Sequence, residues 1–387
     1  MRDHDGLTFP LEEYQRRLRE LRQRMQLRKV DVLLVTDPEN LTYLTGYQTT
    51  GYSYFQCLVV PLEQEPFMVT RLLEDSNVYA RTWVEKSYPY NDTGDAIQAV
   101  WHALVEAGLN RAAIGYEKNS YYFPAYQQER MAASLRFTEL YDCSGIVEQG
   151  RIVKSPDEIE VMRKAAAATE AGMHAGIAAV RDGVSENEIA AEIHHAMFKA
   201  GGEYPAVSPY VTVGPRTCIG HATWEGATIN PGEVAFLELG GCFRRYHTAM
   251  MRTVHVGAPA AEVREAEAVV VEALEAMLEN IRPGLTASDV DNIARSVFAS
   301  YTGSGELVTR SGYAIGIAFA PSWDEGYILS LKPGENTILQ ENMTFHLIPW
   351  LFRLQGNKVM AISETIRVTE DGCESFFNTE RKLFVVE

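Results

Sequence analysis

Apolar residues recur at helical spacing over residues 11–27, then in short unbroken runs over residues 30–35 and 57–60. The first pattern predicts an amphipathic helix and the other two predict buried strands. Asp37-Pro38-Glu39-Asn40 reads as a break after the first strand. The stretch that follows interleaves Tyr43, Tyr47, Tyr52, Tyr54 and Phe55 with Gly and Thr. That is the pattern of a hairpin packed on a core, or of a pocket rim. Strand-like 66–73, helix-like 95–109 and strand-like 112–117 continue the alternation. An α/β domain over residues 1–150 is expected, followed by a linker at 148–156 and a second domain over 151–387.

The second domain opens with a long helical pattern from Asp157, for which Ser155-Pro156 supplies the cap and the first-turn proline. Arg181-Asp182-Gly183 ends it, and Ser185 with Glu188 forms a capping box for a helix reaching about residue 200. Two more helical patterns, 260–281 and 286–301, flank Arg282-Pro283-Gly284. Each helical pair precedes strand-rich sequence, the layout of an internal duplication. Between the pairs, residues 231–257 read as a hairpin with turns at Pro231-Gly232 and at Gly240-Gly241. Its first strand carries Glu238 among Ala, Phe and Leu. A carboxylate there costs several kcal/mol, on the order of 2–7, unless it is paired, hydrogen-bonded or protonated. It is either a satisfied structural group or a functional one.

Composition narrows the partners. The chain of 387 residues is 46% hydrophobic and 22% charged, with a net charge of −17. That acidity argues against nucleic acid or an anionic membrane. Five cysteines without CxxC spacing argue against a disulfide framework or a zinc site and fit reduced thiols. The first residues hold no apolar signal segment and no run is long enough to span a bilayer, so a soluble, cytoplasmic protein is expected.

Residues 151–166, RIVKSPDEIEVMRKAA, resemble the linker and first helix of the creatinase/aminopeptidase P family. Further matches are GEVAFLELG at 232–240, Met251-Arg-Thr253, SGYAIG at 311–316, Met343-Thr-Phe345 and ETIRVTEDG at 364–372. The resemblance implies a pita-bread catalytic domain with a pseudo-twofold αβ repeat behind a creatinase-type N-terminal α/β domain. Metallopeptidase members hold two divalent cations with two Asp, one His and two Glu. The corresponding positions here are Glu238, Ala249, Tyr313, Ile348 and Ser363, with Glu364 one residue late. Ala, Ile and Tyr cannot complete a two-cation clamp, so neither metal nor cofactor is expected. Strand alternation turns Glu364 to the opposite face from Ser363 unless a bulge restores it.

The metal-free branch of the family includes creatinases and ectoine hydrolases, and the second group is more similar. The matching residues are the 238–247 hairpin with its Cys and Arg-Tyr-His, Tyr313 with Pro321 and Trp323, Thr344-Phe-His346, and the opening Met1-Arg-Asp-His-Asp with Phe9-Pro10. The implied reaction is hydrolysis of a small cyclic amidine, ectoine or 5-hydroxyectoine, with Glu238, Glu364 and His221 as catalytic candidates. Glu238 is the candidate nucleophile or base, Glu364 a second carboxylate, and His221 a proton carrier. Tyr313, His247 and His346 are substrate-binding candidates, and Lys332 lies where creatinase carries a carboxylate-binding Arg. For His221, His247, His346 and Lys332, packed or solvated structural roles stay open. The resemblance further implies a homodimer with Tyr52, Tyr54 and Phe55 roofing the partner's site, and a functional link to a downstream deacetylase. Three alternatives remain: a hydrolase of another guanidino or amidino compound, a non-catalytic binding protein, and an Xaa-Pro metallopeptidase.

Overall fold

Val32–Val35, buried throughout, forms β1 at the middle of a sheet in the first unit of the chain. A computed structural model describes residues 6–135 and 138–387, so the opening pentapeptide match lies outside the described residues. Two compact units divide the chain at Arg151 and Ile152. With β2 (Cys57–Pro61), β3 (Phe67–Val69), β4 (Lys86–Ser87), β5 (Ile114–Tyr116) and β6 (Leu140–Asp142), the first sheet has the order β4-β3-β2-β1-β5-β6. β1 pairs antiparallel to β2 and parallel to β5.

Two local readings of this unit change. Asp37 and Pro38 open a helix, Pro38–Thr45, where the sequence reading placed a break. Proline is favoured at a first helical position because its missing N–H has no helical partner there anyway. Gly46, at φ 82, ends that helix, so Tyr43 belongs to a helix and not to a hairpin. Residues 148–151, read as linker, form the short helix Glu148–Arg151.

The second unit begins with helix Pro156–Ala179, whose capping box pairs Ser155 with Glu158. Helix Glu186–Lys199 follows with the Ser185–Glu188 box. Behind them lies the sheet β17-β9-β8-β7, built from β7 (Tyr210–Val213), β8 (Val234–Phe243), β9 (Tyr246–Val256) and β17 (Phe384–Val386). The layout then repeats. Helices Ala261–Asn280 and Ala287–Phe298, the second capped by Thr286 with Asp289, precede the sheet β11-β10-β12-β15-β16. Its strands are β10 (Gly312–Ala314), β11 (Ser330–Leu331), β12 (Thr344–Leu347), β15 (Glu364–Val368) and β16 (Cys373–Ser375). A separate hairpin joins β13 (Trp350–Leu354) to β14 (Lys358–Ala361). Each helix pair buries its apolar face on its own sheet, giving two cores in the unit. Among the described residues no helix is long and apolar enough to cross a membrane.

The central hairpin is longer than its sequence suggests. β8 runs straight through Gly240 and Gly241, and the turn falls at Arg244 and Arg245, both at positive φ. The glycines serve close packing instead of chain reversal. A Cβ on Gly240 would stand 2.9 Å from the Trp323 ring, and one on Gly241 would stand 2.5 Å from the Ala165 carbonyl oxygen. Gly241 also donates its N–H to the Thr169 hydroxyl at 2.9 Å, bringing helix Pro156–Ala179 onto the strand. Gly241→Ala therefore lowers unfolding free energy by about 1–3 kcal/mol. Urea titration of the purified variant checks this, and an unchanged midpoint would contradict the packing described.

Candidate active site

The hairpin turn positions the loops of the site. The buried Arg245 guanidinium donates to the carbonyls of Tyr204, at 2.6 Å, and Ala318, at 2.8 Å. The Tyr246 hydroxyl bonds Glu158 Oε1 at 2.7 Å, and His247 Nε2 accepts the Ala206 N–H at 2.9 Å. This Arg-Tyr-His trio thus anchors segments on both sides of the sheet. His247 is fully buried with both ring nitrogens engaged, and burial followed by Arg245 holds its pKa well below the usual value. It is a neutral scaffold group and does not line the cavity.

That cavity, about 400 Å³, is lined in part by Tyr210, His221, Glu238, Arg310, Tyr313 and Trp323. Asp324, Thr309, Ile348 and Trp350 add charged, polar and apolar surface to it. Glu238 sits mid-strand, in register with Tyr210 of β7 and Met251 of β9, so three side chains share one face. It is 8% exposed, and no described residue donates a hydrogen bond to its carboxyl. Burial, with the Asp324 charge second, pushes its pKa up to about 8. That favours a protonated carboxyl at neutral pH.

Asp324 was not singled out by the sequence, nor was Arg310. Asp324 accepts from the Ser322 hydroxyl at 3.0 Å and the Gly326 N–H at 2.9 Å, and Arg310 approaches it at 3.4 Å. Both sit in irregular segments flanking β10, where no periodicity marks a functional position. The nearest signal was Trp323, whose ring rests on Gly240.

Glu364 stands elsewhere. Its Oε1 accepts from Arg252 Nη2 at 2.6 Å, its other oxygen accepts from the Ser375 hydroxyl, and it is wholly buried. Strand alternation turns Ser363 toward the site and Glu364 to the back, and no bulge intervenes between β12 and β15. Glu238 and Glu364 are thus not brought together, and the cavity's second carboxylate is Asp324. His221 lines the cavity at φ 57 with its ring 5.6 Å from Tyr210. Lys332 is exposed beside a turn and absent from the lining. In the first unit Tyr52 meets Tyr122 edge-on, Tyr54 lies under Arg71, and Phe55 packs on Phe123.

The positions that the resemblance assigns to metal ligands do converge here, but with other donors. Tyr313 and Ile348 line the cavity beside Glu238, and Ala249 lies opposite Gly240. His346 bridges the Tyr313 hydroxyl and Ser363 Oγ, at 2.7 Å each, and Ser363 Oγ accepts the Met251 N–H at 2.6 Å. Burial, then Arg252 and Arg310, push the His346 pKa down to about 3, so it is neutral. At those five positions one carboxyl, a phenol, a hydroxyl and two aliphatic side chains do not fit a two-cation clamp, which takes several anionic oxygens. Among the described residues, the three-ligand cluster that does occur (Asp37, Glu117 and Glu148) is in the first unit.

Fold and cavity together define a hydrolase of the pita-bread class. Residues 160–370 match metallopeptidase family M24, and residues 17–153 match the creatinase/prolidase N-terminal domain. The chain belongs to that family. It is 33% identical to the ectoine hydrolase of Halomonas elongata, over 98% of this chain and 99% of the relative. It is 25% identical to the Xaa-Pro dipeptidase of Pyrococcus horikoshii, over 93% and 96% of the two chains. Among solved structures, dipeptidase PepE from Mycobacterium ulcerans superposes with a TM-score of 0.83 at 25% identity, covering 98% and 99%.

Two stability measurements separate the carboxyls. Glu364→Gln leaves Arg252 as an uncompensated buried charge, a loss of about 3–5 kcal/mol that denaturant unfolding reads directly. Glu238→Gln acts in the opposite sense. The folded-state pKa of Glu238 is raised from 4.5 to about 8. The native state therefore binds the extra proton between those values, and wild-type stability falls as pH rises through that window. The Gln variant escapes this fall, so its advantage is absent near pH 4.5 and grows at up to ~1.4 kcal/mol per pH unit toward pH 8. A pH-independent difference would show that Glu238 is satisfied in the native state.

Proposed function

We propose that the protein is a metal-independent hydrolase of non-peptide C–N bonds, opening the cyclic amidine of ectoine or 5-hydroxyectoine to N-acetyl-L-2,4-diaminobutyrate or its hydroxy analogue. One observation carries this reading: a buried carboxyl to which no described residue donates a hydrogen bond stands in a cavity walled by Tyr210, Trp323 and Trp350. No described residue forms an ion pair with it, and an amidinium is a planar cation that aromatic walls can face. Entry of the cation favours ionised Glu238, so binding releases the carboxyl proton. The carboxylate then attacks the amidine carbon or activates a water against it. In the water route the oxygen bonds to that carbon, a ring C–N bond breaks, and the departing nitrogen takes up a proton. The products are an amide and an amine. His221, which lines the cavity, relays protons in this scheme.

The 33% identity to an ectoine hydrolase supports the substrate, and the replaced ligand positions support chemistry without metal. The proposal includes a small-molecule substrate, a cytoplasmic homodimer, and a deacetylase consuming the amide product.

The test uses EDTA-treated protein with ectoine, creatine and an Xaa-Pro dipeptide, followed by NMR. Ring-opened ectoine is expected as the sole product. Dipeptide cleavage restored by Mn²⁺ or Co²⁺ would overturn the reading. In the free enzyme Glu238 must lose its proton, so kcat/KM for ectoine rises about tenfold per pH unit below pH 8 and levels off above it. Glu238→Gln abolishes turnover; retained activity would remove Glu238 from the reaction.

A further inference from the structure

Tyr313 stands where the resemblance assigns a metal-binding histidine, and its hydroxyl is held from two sides. The Trp323 indole N–H donates to it at 3.1 Å, and His346 Nδ1 lies 2.7 Å from it. Beyond the imidazole, His346 Nε2 lies 2.7 Å from Ser363 Oγ, which also accepts the Met251 N–H. No other described group bonds the Tyr313 or the Ser363 hydroxyl. His346 and Ser363 are wholly buried, whereas Tyr313 is 7% exposed and lines the cavity beside Glu238.

His346 is neutral, so one ring nitrogen donates and the other accepts. With the proton on Nε2, the ring would donate to Ser363 Oγ and leave the serine proton without an acceptor in a buried site. With the proton on Nδ1, Ser363 donates to Nε2 and His346 donates to the Tyr313 oxygen, so every proton of the buried pair is placed. The Tyr313 oxygen then accepts twice, from Trp323 and from His346, which uses both of its lone pairs. Its own O–H remains, and no described residue accepts it. The proton left over by the network thus belongs to the side chain that borders the cavity, where a bound molecule can take it.

An amidinium offers that proton nothing, because its nitrogen lone pairs are drawn into the π system of the cation. Attack on the amidine carbon changes this. A C–O bond forms, the C–N π pair returns to nitrogen as a lone pair, and an acceptor appears where none stood before. We propose that Tyr313, fixed as a donor by Trp323 and by the Nδ1–H of His346, is a catalytic residue that hydrogen-bonds the nitrogen lone pair created in the tetrahedral adduct. Ser363 is a positioning residue, since it sets the tautomer of His346. A contact absent from the bound substrate and present in the transition state lowers the barrier without tightening binding. Burial, and then the charge of Glu238, raise the Tyr313 pKa well above the usual value, so the phenol keeps its proton and another group protonates the departing nitrogen. This role rests on the amidine reading of the site and adds the group that steadies its intermediate.

The experiment measures ectoine turnover by wild type and Tyr313→Phe, and reads the His346 tautomer by nitrogen NMR of isotope-labelled histidines. Tyr313→Phe is expected to lower kcat by about 100- to 1,000-fold, the effect of removing one such donor, with KM nearly unchanged. Circular dichroism and the thermal midpoint confirm that the variant is folded. The NMR is expected to place the His346 proton on Nδ1, in the resonance that shifts in Tyr313→Phe or in Ser363→Ala. The tautomer is read in the wild type, so it decides the donor assignment even if Tyr313→Phe fails to fold. A folded Tyr313→Phe with full kcat, or one that loses only in KM, would overturn the role, as would a proton on Nε2; each leaves the amidine reading standing. Absence of ectoine turnover by wild type would instead overturn the amidine reading, and the adduct role with it.

Discussion

A carboxyl group removed from water and given no donor must find its stabilisation elsewhere, either by keeping its proton or by meeting a cation from solution. Glu238 is in that position. It projects from the middle strand of a four-stranded sheet, flanked by Tyr210 and Met251, under a wall that includes Trp323. The close approach of that tryptophan depends on Gly240, and the strand itself is pressed against its helix through Gly241. The packing that makes the hairpin rigid is thus the packing that dries the carboxyl.

Around it, two of the positions that the resemblance assigns to an ion clamp, Tyr313 and Ser363, are joined through His346 by hydrogen bonds. The path from Trp323 through Tyr313, His346 and Ser363 to the Met251 backbone satisfies polar atoms that would otherwise be orphaned in a buried site. A neutral histidine suits such a path because it offers one donor and one acceptor. On the far face, Arg252 and Glu364 form an ion pair with both side chains fully buried, which ties β9 to β15. Two carboxyls thus differ by environment: Glu364 is paired with Arg252, and Glu238 receives no hydrogen bond from a described residue.

The cavity carries charges of both signs. Glu238 and Asp324 supply negative potential, Arg310 supplies a positive fork, and the remaining walls are aromatic or aliphatic. Electrostatic complementarity of this kind fixes orientation before it adds affinity.

The helices, their capping boxes, the duplicated layout and the apolar strand around Glu238 were legible in the chain, because period, caps and breakers are local signals. The substitutions at the ligand positions were legible too, since residue type alone decides whether a side chain can bind a cation. Local signals misread Gly240-Gly241, because a glycine needed for close packing looks the same in sequence as a glycine needed for a turn. They left Asp324 and Arg310 unmarked, because both lie in irregular segments where no period reports which side chain faces inward. Glu364 needed the strand register to show that it points away from the cavity. Sequence by itself determined which residue types stand at the site. Tertiary structure decided which charges meet there, because residues far apart in the chain become neighbours only when the sheets and their loops are assembled.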